Sequence, residues 1–403
     1  MSSTQPLYLA AFHQSPFGKL GTLGVPEILS RAVAGVCAEV GADAAAIDVA
    51  SVGAACNLTL NQQGLLSGLL AAVPGLAGKP IESVENACAS GGQAVLAVAH
   101  KLLAGLGDVG LAVGYEKMRS DDGKVDGVKV GEVLGYFSHP EDRPGKVYVF
   151  PHLFAEVMAE YLATWGATEE DLARIAVAEY ANARLNPDAQ MRNVEVTLEK
   201  ALKIEGANRY LVDGLPLKTY DCSQITDGYA ALLVATRDGL DRLGVKPESA
   251  VRLAGFAQAT DPLARHGRDV LRPAAAYAAM RRAYAMAGVA PRDVDVAEVH
   301  DCFSVMGAIG VEVLGLAAPG EGARFWTDGR AALDGDCGVN LSGGLIAKGH
   351  PIGATGVAML GWGFRQLLGQ APAGLQRRDA KVAATFNIGG PICATVATVL
   401  TRE

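Results

Sequence analysis

The chain reads as an α/β protein built from two similar halves, and three observations carry that reading. Short apolar runs alternate with longer helical patterns, two such series follow one another, and a polar stretch interrupts the first. The first series runs LYLAAF, an amphipathic segment over 25–40, VASVGAA, IESVENA, a long apolar helix after Cys88, and VGLAVG. The second runs VRLAGFAQA at 251–259, a helix over 273–287, VDVAEVH at 294–300, a helix after Cys302, a glycine-rich segment at 343–356 with its own helix, and VAATFNIGGPICATVATVL. This rhythm predicts a parallel or mixed sheet covered by helices. The likeness between the series is one of arrangement, with no residue-level repeat.

The stretch SDDGKVDGVKVGEVLGYFSHPEDRPGKV is rich in glycine, charge and breakers, so it predicts a long excursion from the sheet. PHLFAEVMAEYLATWG and EEDLARIAVAEYANARLNP then predict two amphipathic helices, and YDCSQITDGYAALLVAT at 220–236 returns to the style of the first series. The expected organisation is an N-terminal half of residues 1–117 plus 216–245, an inserted loop domain over 118–215, and a C-terminal half over 246–403.

With 403 residues, half of them hydrophobic and 19% charged, the chain can bury a large core. Its formal charge of −8 offers nothing to attract nucleic acid or an anionic membrane. The start MSSTQPLYLAAFHQSPFGKLG lacks a basic leader with an apolar run, and TVLTRE carries no peroxisomal address. A cytoplasmic location is expected. Seven scattered cysteines (37, 56, 88, 222, 302, 337 and 393), none in a CxxC pair, predict neither a disulfide framework nor a zinc knuckle, and suit a reducing compartment.

Four motifs carry candidate chemistry. In NACASGG a strand ends and a helix begins at Cys88, where backbone N–H groups and the helix dipole favour a thiolate, and Gly91 and Gly92 admit close approach. A small buried cysteine is the other reading. In VNLSGGLIAKGHPIGATG, His350 sits on a constrained turn before a helix, able to take a thiol's proton if one lies near; the pattern matches neither a Walker loop nor GxGxxG, and such turns often bind nothing. EVHDCF places His300, Asp301 and Cys302 at a strand end. They could begin a metal site, but further ligands at local spacing are missing and no metal is assigned; Cys302 is either a core filler or an acid/base. FNIGGP opens a strand into Gly389 and Gly390, either a simple turn or a source of backbone donors.

Taken in order, NACASGG, HDCF, GGLIAKGHPIGATG and NIGGP resemble the thiolase superfamily over nearly the whole chain. Where many members read NEAF this chain has HDCF, and where they carry a second catalytic cysteine it has Asn387. Both departures are similar to the sterol-carrier-protein-2 type and to related bacterial acetyl-CoA acetyltransferases. The resemblance implies a five-layered αβαβα fold and an acyl-CoA acyltransferase of lipid metabolism that makes or breaks 3-oxoacyl-CoA by reversible Claisen chemistry. Cys88 would be acylated, and His350 would activate it and later help hold the enolate oxygen. The amides of Cys88 and Gly389 would hold the acyl oxyanion, Cys302 would act as acid/base, and His300 would position a water for the enolate oxygen. Coenzyme A enters as co-substrate with no tightly bound cofactor; the cations of 118–215, such as Arg119, Lys124, Lys129 and Arg192, are where its phosphates are expected, without one being singled out. A homodimer or tetramer is implied. The alternatives are a catalytic subunit that needs a separate OB-fold partner, and a non-catalytic lipid-binding relative.

Overall fold

The computed structural model describes residues 5–402. Residues 1–4 and 403, counted in the two expected halves, lie outside the described residues. The first half runs β1 (Tyr8–Gln14), α1 (Val25–Ala38), β2 (Val49–Gly53), α2 (Asn57–Leu60), α3 (Leu66–Ala71), β3 (Ile81–Val84), α4 (Ser90–Leu103) and β4 (Val109–Glu116). Four helices follow, α5 (Gly127–Gly135), α6 (Val149–Trp165), α7 (Glu169–Leu185) and α8 (Leu198–Leu202), before β5 (Gly228–Ala235) and α9 (Arg237–Leu243). The second half runs β6 (Val251–Thr260), α10 (Ala274–Ala287), β7 (Val296–Val299), α11 (Ser304–Val313), α12 (Gly322–Thr327), β8 (Gly338–Val339), α13 (Gly344–Lys348), α14 (Ile352–Leu368), β9 (Val382–Gly389) and β10 (Ala394–Thr401).

The strands join in the order β3-β2-β4-β5-β1-β6-β10-β9-β7-β8. Read inward from each edge, the halves have one pattern: β3-β2-β4-β5-β1 and β8-β7-β9-β10-β6. In each, the strand next to the edge is parallel to both neighbours and the remaining pairs are antiparallel. The sheet is mixed, and the halves meet where Tyr8 and Leu9 pair with Arg252 and Val251.

Side-chain alternation along the strands sorts the interior into layers. Ala231, Leu233 and Ala235 of β5 face Ile28, Leu29 and Val33 of α1. Ala230, Leu232 and Val234 face the opposite way, onto α4 and α14, through Val95, Val98, Val357 and Leu360. Val296 of β7 joins this central core, whereas Ala297 and Val299 turn outward to Met280 of α10 and Ile309 of α11. The result is helix, sheet, helix, sheet, helix. The sequence explains which helix goes where. α1, opened by Pro26, buries an i, i+3, i+4 stripe and stays exposed behind it, while α14 is buried at nearly every position because sheet lies on both sides.

The central helices meet backbone to backbone at their first turns. A Cβ on Gly91 would lie 2.5 Å from the Gly353 carbonyl oxygen, and one on Gly356 would lie 2.1 Å from the Gly92 nitrogen. Only hydrogen fits there. The excursion between β4 and β5 packs on the second half: the Phe154 ring stacks on Phe303 with centroids 4.5 Å apart, and Asn186 Nδ2 donates to the Ser342 carbonyl at 2.8 Å.

A methyl group at the contact forces the helices apart. Gly91→Ala is expected to cost about 1–3 kcal/mol, read as a lower urea midpoint. Gly64→Ala, whose nearest neighbour would be Leu58 Cδ1 at 3.7 Å, should stay within about 0.5 kcal/mol. Equal losses at the two positions would refute the backbone-contact account.

Candidate active site

Cys88 lies on the tight turn between β3 and α4. Ala87 takes a left-handed φ of 47°, a conformation that costs a non-glycine residue on the order of 1–3 kcal/mol. Local bonds hold it: Asn86 N–H donates to Ser90 Oγ at 2.8 Å, Ser90 Oγ donates to the Ala87 carbonyl at 2.6 Å, and Ala87 N–H donates to the Glu85 carboxylate. The thiol opens onto a cavity of about 280 Å³ that His300, Cys302, His350 and Gly390 also line. One ligand-type atom each from Cys88, His300 and His350 lies within 4.8 Å of the others. That spacing could hold a thiophilic metal ion, and it equally suits proton transfer.

The thiol does not titrate as its helix position suggests. Burial, followed by the carboxylates of Glu116 and Glu85, pushes Cys88 up to about 12, while the N–H groups of Cys88 and Gly390 pull the other way. At rest the sulfur is held as the thiol, because desolvation outweighs the two N–H groups that favour the thiolate. The thiol needs a base.

His350 is built as one. Its Nδ1 lies 2.7 Å from Thr355 Oγ1, and that hydroxyl donates its only proton to the Pro351 carbonyl at 3.0 Å. Assigning that proton to the carbonyl makes Oγ1 the acceptor from His350, which places the imidazole proton on Nδ1 and leaves a lone pair on Nε2. Burial, and then Lys348, lowers its pKa to about 3, so the ring is neutral.

His300 has the opposite tautomer. Asn387 Nδ2 donates to the Cys88 carbonyl at 3.1 Å and contacts His300 Nδ1 at 3.0 Å. A carbonyl can only accept, so the amide nitrogen must face it, and His300 Nδ1 accepts the second amide proton. The ring proton sits on Nε2, which is buried without a hydrogen-bond partner among the described residues. Burial and His350 hold this ring's pKa well below its ordinary value. The two rings meet edge to face, centroids 4.9 Å apart, one offering a lone pair and the other a donor.

Cys302 is reached from the second half. Its carbonyl accepts from Ser223 N–H at 2.9 Å, and burial raises its thiol well above the ordinary range, with Cys88 and Asp301 adding to the shift. Asp301 does not face the cavity. Its carboxylate accepts from Leu345 N–H at 2.8 Å and Ile346 N–H at 3.2 Å, tying the HDCF turn to α13 and hence to His350. Glu116, the lone acid ending the apolar strand β4, accepts from Ala55, Cys56 and Gly353 N–H at 2.9–3.1 Å and pins the start of α14.

The structure thus brings Cys88, His300, Cys302 and His350 to one cavity. Gly389 closes β9 against the same turn, where a Cβ on it would lie 2.2 Å from the Asn86 carbonyl oxygen; the glycine that lines the cavity is Gly390. Sequence reasoning missed Asn387, read only as a lost cysteine, together with Thr355 and Glu116. The signals were there: a buried acid ending an apolar strand, and a hydroxyl one helical turn beyond His350.

Comparison with known proteins agrees with this architecture. The model described as "Thiolase, N-terminal domain" matches residues 8–238, and "Thiolase C-terminal domain-like" matches 257–402. The chain is 36% identical over 378 residues to an acetyl-CoA acetyltransferase of Methanothermobacter thermautotrophicus, covering 94% of each. It is 30% identical over 392 residues to sterol carrier protein 2 of Gallus gallus, covering 92% of this chain and 67% of the relative. Among solved structures, one titled "Ltp2-ChsH2(DUF35) aldolase" superposes with a TM-score of 0.80 at 21% identity over 98% of both chains. With its two halves matched in turn and a relative aligned almost end to end, the chain belongs to the thiolase family.

Proposed function

We propose that this CoA-dependent acyltransferase cleaves and forms 3-oxoacyl-CoA through an acyl-Cys88 intermediate. The observation that carries the mechanism is the pairing of opposite tautomers beside one thiol. His350 Nε2 takes the Cys88 proton, and the sulfur attacks the 3-keto carbon. The amides of Cys88 and Gly389 hold the oxygen that becomes negative. The carbon–carbon bond then breaks, and its electron pair passes to an acetyl-CoA enolate. That oxygen is met by His300 Nε2–H, directly or through the water that the sequence reading assigned to it. Cys302 delivers a proton to the carbon and regains one from the thiol of a second CoA, whose sulfur displaces the acyl group; Cys88 leaves as the thiolate and recovers its proton from His350. Condensation is the reverse.

The loop domain over 118–215, between halves 1–117 plus 216–245 and 246–403, is proposed to bind the acyl substrate and the CoA chain. A homodimer or tetramer, in the cytoplasm, completes the reading. It is supported by the unpaired outer edge of β3, by the exposed Leu58 and Leu65 beside it, and by seven free cysteines among the described residues. Among the described residues no helix is long and apolar enough to cross a membrane. Activity of the purified chain alone decides against an obligatory OB-fold partner.

Cys88→Ala should abolish the acyl adduct in intact mass spectra and lower acetoacetyl-CoA thiolysis by more than about 1000-fold; undiminished turnover would end the proposal. His300→Gln should lower kcat for carbon–carbon cleavage about 100- to 1000-fold, the scale of a lost oxyanion donor, while acetyl transfer from acetyl-CoA to Cys88 persists. Loss of both would mean that His300 merely supports the fold. Because His350 stays neutral down to about pH 3, kcat/KM should show no acidic limb near pH 6.5. Stability has a definite sign as well. The unfolded histidine, near 6.5, binds its proton before the folded one, so stability falls as pH drops from about 6.5 toward about 3. His350→Asn should therefore lose less stability than the parent between pH 7 and pH 5, as read by urea midpoints.

A further inference from the structure

The cavity at Cys88 extends well past the reacting groups, and its remaining wall is uncharged. Apolar side chains, among them Met118, Leu134, Phe137, Phe150, Leu211 and Ile352, form most of it, with the neutral Thr219, Ser223 and Gln224 between them. Among the described residues no Lys, Arg, Asp or Glu lines it.

Five basic side chains close to it are committed elsewhere. Lys218 Nζ pairs with Glu169 at 2.9 Å and Asp221 at 3.3 Å, and Lys348 pairs with Glu298 at 3.3 Å. Arg119 donates to the carbonyls of Ile225 and Gly123, Arg268 to those of Pro391 and Ile392, and Arg265 to Glu156 and Glu160. A carboxylate carried into this space would lose its hydration and meet no counter-charge. Apolar carbon gains there, by roughly fourfold in affinity per buried methylene. Size points the same way, for the cavity has a volume of about 280 Å³. A two-carbon acyl group leaves much of that space unfilled.

We infer that the acyl pocket selects uncharged, apolar acyl groups larger than acetyl and rejects chains of the same length that end in a carboxylate. The inference rests on the thiolase reading above and adds the substrate class.

The test is acylation of Cys88 by acetyl-, hexanoyl- and adipoyl-CoA, followed by intact mass under single-turnover conditions. The hexanoyl group should load at least about tenfold faster than acetyl and about 100-fold faster than adipoyl, at equal subsaturating thioester. Leu211→Arg, at a half-buried wall position, should narrow the gap between hexanoyl and adipoyl by about tenfold or more. Equal loading of hexanoyl and adipoyl, or a preference for acetyl, overturns the inference while leaving the acyl-cysteine mechanism standing. No adduct from any of the three on folded protein sinks the mechanism and the inference together.

Discussion

The contact on which the structure depends is the side-chain-free crossing of α4 and α14. Cys88 precedes the first of these helices and His350 the second, so the distance between nucleophile and base is set by how closely the two first turns approach. Gly91 and Gly92 on one side and Gly353 and Gly356 on the other reduce that distance to backbone contact. Asn387 sits over the crossing, since a Cβ on Gly92 or on Gly356 would come within 2.7 Å or 2.4 Å of its Oδ1. One glycine cluster thus serves packing and chemistry together.

Around this crossing, buried polar groups act as struts. Glu116 ties β4 to the start of α14, Asp301 ties the HDCF turn to α13, and Glu298 reaches both Ser342 and Lys348 on the loop carrying His350. Each is a carboxyl group held away from water, tolerable because backbone N–H groups or a cation meet it. The same burial keeps both histidines neutral and the Cys88 thiol protonated at rest. Proton transfer within the cluster then occurs between groups that start uncharged, and no solvent ion has to be stripped first.

Much of the fold was legible because strand and helix periods are local properties. The runs at 8–14, 109–116 and 228–235 are apolar enough to mark strands buried on both faces, and the glycines of NACASGG and GHPIGATG mark helix starts where something approaches closely. The match between the two strand orders was visible only as a rhythm, because the halves share backbone geometry without sharing residues. Asn387 illustrates the limit of motif reading. Its position registers as an absence when compared with other patterns, whereas its amide bridges the Cys88 carbonyl to His300.

The α/β class, the two series, and the residue types able to support acyl transfer are legible in the chain's residues, since periodicity and side-chain chemistry are written residue by residue. Which nitrogen of each histidine carries the proton, and that the thiol is held protonated, follow from the folded arrangement alone. Those properties depend on partners brought together by folding: Asn387 is 299 positions from Cys88 and 87 from His300. Burial, which sets the pKa values, exists only once the layers have closed around the site.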